Sequence, residues 1–318
     1  MEQRLAEHTR LDLAEVRPLG GGACQENFRV TTAEGARFVL RSDARQSLPG
    51  SIGRKQEYPV IAAAREMGTP TPEASHLGEG LVREGAWAYL LDWVDGEAIG
   101  SRVVKHPARE QLPEQLAQAL AAIHRVNPGT HELPLSGLEV DPAQAAVGFV
   151  REMVDALPEA NAGLELALLW ASENLPEPGP VTLVHGDFRT GNFLVGDGGL
   201  NAVLDWEFAH WGDPLDDVGW LCVRDWRFGK VALPAGGLAT RERFYRAYAQ
   251  ASEHDVDPSV VHFWEIIGNL RWGAAAVYQG ERYLQGKTSD LEMLAIPRRV
   301  CEMAFEALRL IELGPPEL

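Results

Sequence analysis

Cysteine is scarce in this chain. Three cysteines in 318 residues, Cys24, Cys222 and Cys301, lie far apart and form no CxxC or Cys/His spacing. That argues against a disulfide framework or a zinc site and fits a reducing compartment. Positive charge is also in short supply: 29 Lys and Arg face 46 Asp and Glu, a net charge of −17. Neutralising nucleic-acid phosphates or anionic lipid takes a basic face, so neither nucleic acid nor a membrane surface is expected as a partner. Long apolar runs are missing, and none approaches the roughly 18 residues of a membrane span. The start, Met1-Glu2-Gln3-Arg4-Leu5-Ala6-Glu7, is charged and mixed, without the basic start and apolar stretch of a signal peptide. A cytoplasmic location is the expectation, and no internal repeat or low-complexity segment is visible. With 45% hydrophobic and 24% charged residues, the composition is that of a soluble globular protein long enough for one large core or two lobes.

The charge is unevenly placed. Residues 1–90 hold 12 acids and 11 bases, net −1, which leaves 34 acids and 18 bases, net −16, beyond them. Most of that acidity reads as solvated surface, with a weak bias toward a cationic or neutral ligand.

Residues 12–41 alternate short apolar runs with turn residues. Val16–Leu19, the turn Gly20-Gly21-Gly22, Phe28–Val30, the turn Glu34-Gly35 and Phe38–Leu40 predict a strand, a glycine turn and a two-stranded hairpin. Arg54–Met67 has helical spacing, and Pro59 inside it places the start near Glu57 or introduces a kink. Trp87–Val94 is a further strand. Long helical windows then predominate: Pro113–Val126, one or two helices in 142–175, and roughly 240–252, 258–285 and 289–312, with the strand Val181–Val184 between.

The chemistry-bearing run is Leu183-Val184-His185-Gly186-Asp187-Phe188-Arg189-Thr190-Gly191-Asn192, followed by Val203-Leu204-Asp205-Trp206. An Asp with Asn five positions later has the spacing of a kinase catalytic loop, where the Asp takes the attacking hydroxyl's proton and the Asn holds magnesium. Asp205 ends the apolar run Ala202-Val203-Leu204, which suits a metal-binding carboxylate at a strand tip. A lone His beside an apolar strand is more often structural than a base, so His185 is expected to hold Asp187 in place. Bare glycines such as Gly20, Gly21 and Gly22 let a backbone approach phosphates, although a glycine run between strands is also an ordinary hairpin turn.

The HGDxxxxN run with Asp205-Trp206-Glu207 resembles the aminoglycoside phosphotransferase and choline kinase-like family of small-molecule kinases. Gly20 to Val30, GGGACQENFRV, is similar to that family's glycine loop, and Trp211–Val218 to its GDPxxD element. The resemblance implies an α+β, two-lobed, protein-kinase-like fold: a small antiparallel-sheet lobe over residues 1–95 and a mostly helical catalytic and substrate-binding lobe over 96–318. It implies ATP and Mg2+ in the cleft and transfer of the γ-phosphoryl group to a small-molecule hydroxyl. Asp187 would be the base, and Asn192 and Asp205 the metal ligands. Gly20, Gly21 and Gly22 would lie over the phosphates, with Arg41 paired to Glu57, or failing that to Glu66. Leu91, Asp92, Trp93 and Val94 would form the adenine connector, although an edge strand fits them equally well.

Asp213 and Asp217 are expected to cap a helix and brace the catalytic loop. Glu207 could reach metal or substrate, or anchor its own loop. Trp226, Trp272, Tyr278, Asp225 and Glu265 are candidates for the acceptor pocket. The runs GGxxxEN, LDWE and GDPLDD look closer to the acyl-CoA-dehydrogenase-associated kinase branch than to resistance enzymes. Two rivals stand beside the kinase reading: a nucleotide-binding pseudokinase, and a metal-dependent hydrolase that would call for more histidines nearby.

Overall fold

The alternating residues at the start of the chain build one sheet, and its two faces are covered by different helices. The computed structural model describes residues 1–20, 26–252 and 255–317. Helix α1 (Glu2–Thr9) precedes β1 (Leu13–Pro18), β2 (Glu26–Thr32) and β3 (Arg37–Ser42). Helix α2 (Arg54–Glu66), β4 (Ala74–Glu79) and β5 (Trp87–Asp92) complete the set. The five strands are antiparallel in the order β1-β2-β3-β5-β4. Because side chains alternate along a strand, Val30, Leu40, Ala88 and Leu90 pack with Leu5 of α1 on one face. Arg41 and its cross-strand partner Tyr89 belong to the other, where α2 brings Val60, Ile61 and Ala64.

Helix α2 begins at Arg54, earlier than the Glu57 start that Pro59 suggested. The Arg54 N–H donates to Asp43 Oδ1 at 2.7 Å, which supplies an acceptor for a helix-start amide from outside the helix. Pro59 sits inside the helix and forfeits one backbone bond, and burial of Val60, Ile61, Ala63 and Ala64 holds the helix through it.

The remainder is mostly helical: α3 (Gly100–Val103), α4 (Leu112–His124), α5 (Pro142–Asp155) and α6 (Ala162–Glu173) come first. Four short strands follow, β6 (Thr182–Val184), β7 (Phe193–Gly196), β8 (Gly199–Val203) and β9 (His210–Gly212), pairing as β6-β9 and β7-β8. Then come α7 (Pro214–Cys222), α8 (Arg241–Ser252), α9 (Pro258–Leu284), α10 (Leu291–Ala295) and α11 (Val300–Leu313). The single helix expected over 289–312 is therefore interrupted. Pro297 lies in a 3₁₀ turn over Ile296–Arg299 that separates α10 from α11, since proline lacks the amide that would continue the ladder. Helices α7 and α9 cross at glycines: a Cβ on Gly219 would stand 2.6 Å from Trp264 Cβ, and one on Gly268 2.7 Å from Val223 Cγ2. No described helix is long and apolar enough to cross a membrane.

Candidate active site

The loop between β6 and β7 carries Asp187, and α7 holds that loop in place. Asp217 of α7 accepts the backbone N–H of His185 at 2.7 Å and of Gly186 at 2.9 Å. Its Oδ2 also lies 3.2 Å from His124 Nε2, and His124 Nδ1 meets the Tyr248 hydroxyl at 2.6 Å. Burial alone would raise the Asp217 pKa, but His124 and the backbone donors reverse that and leave it lowered. Asp213 caps α7 by accepting from Leu215 N–H at 2.8 Å. Gly186 has φ +77, and a Cβ there would meet Phe208 O at 2.3 Å, so only glycine fits.

His185 is buried, and burial lowers its pKa. Nδ1 accepts the Asp187 N–H at 3.1 Å while Nε2 faces Leu204 O at 3.1 Å. Those partners define a neutral ring protonated at Nε2, and with the Trp206 ring tilted against it at 4.6 Å the imidazole acts as a spacer and not a base.

Three donors converge on the Asp187 carboxylate. Oδ1 accepts from Arg189 Nε and from Trp220 Nε1, each at 2.9 Å, and Oδ2 accepts from Asn192 Nδ2 at 2.6 Å. Asn192 Nδ2 also donates to Asp187 O at 3.0 Å. With Nδ2 so committed, Oδ1 is the Asn192 atom available to a cation.

Asp205 lies beyond the end of β8 with φ +71, a left-handed conformation that a non-glycine residue rarely adopts. Asn192 and Asp205 present oxygen donors of the kind magnesium takes, one carboxylate and one amide, with phosphates and water to complete a shell. Among the described residues, no group of three or more His, Cys, Asp and Glu side chains could hold a metal by itself.

Arg41 on β3 joins this end of the site to α2. Its Nε donates to Glu57 Oε2 at 3.1 Å, and Nη2 reaches Glu57 Oε1 at 3.0 Å and Asp205 Oδ1 at 2.5 Å. Glu57 also accepts from the Tyr89 hydroxyl at 2.6 Å and from Arg54. Glu66, the other candidate partner, takes no part in these contacts. Burial tends to raise Glu57, and the guanidiniums of Arg41 and Arg54 outweigh it, leaving the acid lowered.

Arg54 continues to Glu207 Oε2 at 3.0 Å, and Glu207 O accepts the Ile52 N–H at 2.7 Å, so Glu207 ties its loop to α2. Burial first, and then the neighbouring Asp205 carboxylate, push Glu207 up to about 7.

A cleft of about 1280 Å³ opens in front of Asp187 and Asp205. Trp226, Trp272, Tyr278 and Asp225 line it, as the sequence suggested. Glu265 does not: it is buried behind, paired with Arg227 and Arg241 at 2.8 and 2.6 Å. Leu91, Asp92, Trp93 and Val94 lie outside that lining, on β5 and the segment leaving it. Asp92 and Trp93 donate their N–H groups to Glu73 O and Arg37 O, whereas Val94 N–H makes no such described bond. Gly20 is exposed at the β1–β2 turn with open space around it; Gly21 and Gly22 lie outside the described residues.

Arg54, Arg189 and Trp220 are site residues that sequence reasoning did not single out. Arg189, two positions after Asp187, could have been found from the loop itself, and Trp220 shares a helix face with Asp217 three positions earlier. Nothing local marks Arg54.

A small antiparallel sheet joined to a helical body, with a braced Asp–Asn loop and a buried Arg–Glu pair, defines a phosphotransferase of the kinase-like class. The chain belongs to the phosphotransferase enzyme family, whose model matches residues 15–254. It is 25% identical over 248 residues to acyl-CoA dehydrogenase family member 10 of Mus musculus, covering 71% of this chain and 23% of that protein. The chain thus spans about a quarter of that relative's length. Among solved structures it superposes on a candidate aminoglycoside phosphotransferase from Ralstonia eutropha with a TM-score of 0.77 at 20% identity, covering 99% of both chains. A thermostable mutant of an aminoglycoside phosphotransferase, in ternary complex with AMP-PNP and hygromycin B, gives a TM-score of 0.65 at 19% identity, with 98% of each chain covered. These likenesses establish the two-lobed fold.

Proposed function

We propose that the chain transfers the γ-phosphoryl group of ATP to the hydroxyl of a small molecule, with Asp187 taking the hydroxyl proton. The observation that carries this reading is the Asp187 carboxylate, held by three donors at the floor of a cleft that Asp205 also lines. A carboxylate oxygen accepts about two hydrogen bonds. Oδ1 already has two and Oδ2 one, so Oδ2 is the oxygen with room for the acceptor's O–H. The hydroxyl oxygen then bonds to the γ-phosphorus as the bond to the β-phosphate oxygen breaks and ADP leaves, and the proton passes to Asp187.

Residues 1–95 would hold the nucleotide in this reading, with Arg41 against the phosphates, the Gly20–Gly22 turn above them, and Leu91–Val94 beside the adenine, where the Val94 N–H makes no bond among the described residues. Residues 96–318 would hold the loop and the acceptor. Asn192 and Asp205 would bind magnesium, whose charge, when bound, offsets that of the phosphates. The acceptor site would be built mainly beyond Asp205, where Trp226, Trp272 and Tyr278 line the cleft. The intact set of Asp187, Asn192 and Asp205 favours transfer over a nucleotide-binding scaffold.

Incubation with magnesium and ATP against a library of small alcohols tests the reading through acceptor-dependent release of ADP. No stimulation by any alcohol, with ATP bound, would leave the scaffold reading in its place.

A further inference from the structure

Five arginines line the cleft, and four of them are closely paired with acids. Arg189 lies 2.9 Å from Asp187, Arg224 3.2 Å from Glu306 and Arg227 2.8 Å from Glu265, and Arg299 is in close contact with Asp225. Arg271 differs. Its nearest described carboxylate oxygen, Asp216 Oδ2, is 3.6 Å away, outside hydrogen-bond range, and that oxygen is shared with His210 Nε2 at 3.7 Å. Asp216 is itself buried, its other oxygen has no partner among the described residues, and burial raises its pKa while Arg271 and His210 oppose that shift.

The position of Arg271 is fixed by other means. The guanidinium lies 3.9 Å over the Trp220 ring, and Nη2 donates to Gly186 O at 3.2 Å. Trp220 is the indole that donates to Asp187, so this cation stands one side chain from the candidate base. A planar guanidinium stacked on an indole keeps its remaining N–H groups in a fixed fork suited to a carboxylate or phosphate. The cleft's other acids are engaged or screened: Asp187, Asp205, Glu207 and Asp225 are paired with Arg189, Arg41, Arg54 and Arg299, and Glu139, Asp290, Glu292 and Glu302 are exposed at the rim, where solvent and salt screen them.

We propose that Arg271 receives an anionic group on the acceptor, making the substrate an alcohol that also carries a carboxylate or phosphate. This rests on the phosphoryl-transfer reading above. It reverses the bias toward cationic or neutral acceptors drawn from the net charge, because the floor's carboxylates are paired with other arginines whereas Arg271, among the described residues, has only a longer contact of 3.6 Å with Asp216. Arg282, on the same helix, is buried against Gln279 and does not line the cleft.

The test uses the full chain with magnesium and ATP, and matched acceptors in three arms: hydroxycarboxylates beside their methyl esters, sugar phosphates and glycerol phosphate beside the free polyols, and amino alcohols. In the wild type an anionic member of the first or second arm should exceed its neutral partner in kcat/KM by at least about tenfold, the scale of a charged hydrogen bond. The better arm identifies carboxylate or phosphate. Arg271→Gln should bring that ratio close to one, mainly through KM, with ATP affinity unchanged, and Arg271→Lys should fall between. Asp216→Asn should keep or widen the ratio, which serves as the measure if Arg271→Gln folds poorly.

Best turnover with neutral or amine-bearing alcohols would overturn the proposal while leaving phosphoryl transfer standing. So would an Arg271→Gln variant slowed equally toward anionic and neutral partners, the mark of a residue that only braces Gly186. Absence of acceptor-dependent ADP release in all three arms would overturn both readings.

Discussion

Asp187 and Arg41 are each held at more than one point, and the contacts decide what their replacement should do. Asp187→Asn keeps the shape but removes the proton acceptor, and its amide would face the Asn192 Nδ2 donor at Oδ2. We expect kcat to fall by at least about a hundredfold, the usual scale for a general base, with ATP affinity nearly unchanged by titration. Turnover near the wild-type rate would remove Asp187 from the mechanism. Arg41 uses Nε and Nη2 on Glu57 and Nη2 again on Asp205. Lysine carries the charge but cannot form that fork, so Arg41→Lys should raise KM for ATP by about tenfold, and Arg41→Ala by more. Unchanged KM in both variants would show that Arg41 does not hold the nucleotide.

Helices α7 and α9 form the element pair on which the catalytic loop depends. Helix α7 carries Asp217 and Trp220, which grip the loop backbone and the Asp187 carboxylate, and it approaches α9 closely at Gly219. Gly219→Ala would place a methyl against Trp264 Cβ and Glu265 N, so unfolding in urea should show a loss of about 1–3 kcal/mol with a parallel fall in kcat. A stable, fully active variant would mean that the helices part without cost.

Helix α9 also buries His262, whose Nε2 has no partner among the described residues and whose pKa is lowered to about 4 by burial and then by Arg241. The unfolded state, with a pKa near 6.5, binds the proton first, so the neutral ring favours folding above about pH 6.5 and that contribution is lost as pH falls toward 4. Between pH 7 and 5 this one group should cost about 2 kcal/mol, and His262→Leu should remove that share of the pH dependence. An unaltered slope in the variant would assign the acid sensitivity elsewhere.

At the scale of the molecule, Arg54 links the sheet side of the site to the helical side, between Glu57 of α2 and Glu207 beyond Asp205. Arg54→Met would leave two buried carboxylates short of a cation. A loss of about 3–5 kcal/mol is expected from removing one partner of a buried ion pair, read as a lower melting temperature. Magnesium and ATP, binding the folded form alone, should raise the unfolding free energy by about 2.7 kcal/mol at a hundredfold excess over Kd. In Asp205→Ala the magnesium-dependent part of that gain should vanish. Equal stabilisation of variant and wild type would mean that Asp205 is no metal ligand.

The sequence by itself determined what is local. Spacing within one loop set Asp187 against Asn192, the apolar run before Asp205 set a strand tip, and the alternation before Arg41 set the hairpin that carries it. Strand β4 escaped notice because Ala74–Glu79 has little apolar alternation, and α1 because its apolar face is one buried leucine, Leu5, among charged residues. Only the tertiary structure decided which of the many arginines and tryptophans meet the site. Arg54, Trp220 and Arg271 reach it across 153, 33 and 85 positions of chain, to Glu207, Asp187 and Gly186. Glu265 was drawn away from the cleft by Arg227 and Arg241. Periodicity records which face of an element is buried, but the partner of a buried charge depends on how elements dock, and docking is set by contacts between residues distant in the chain.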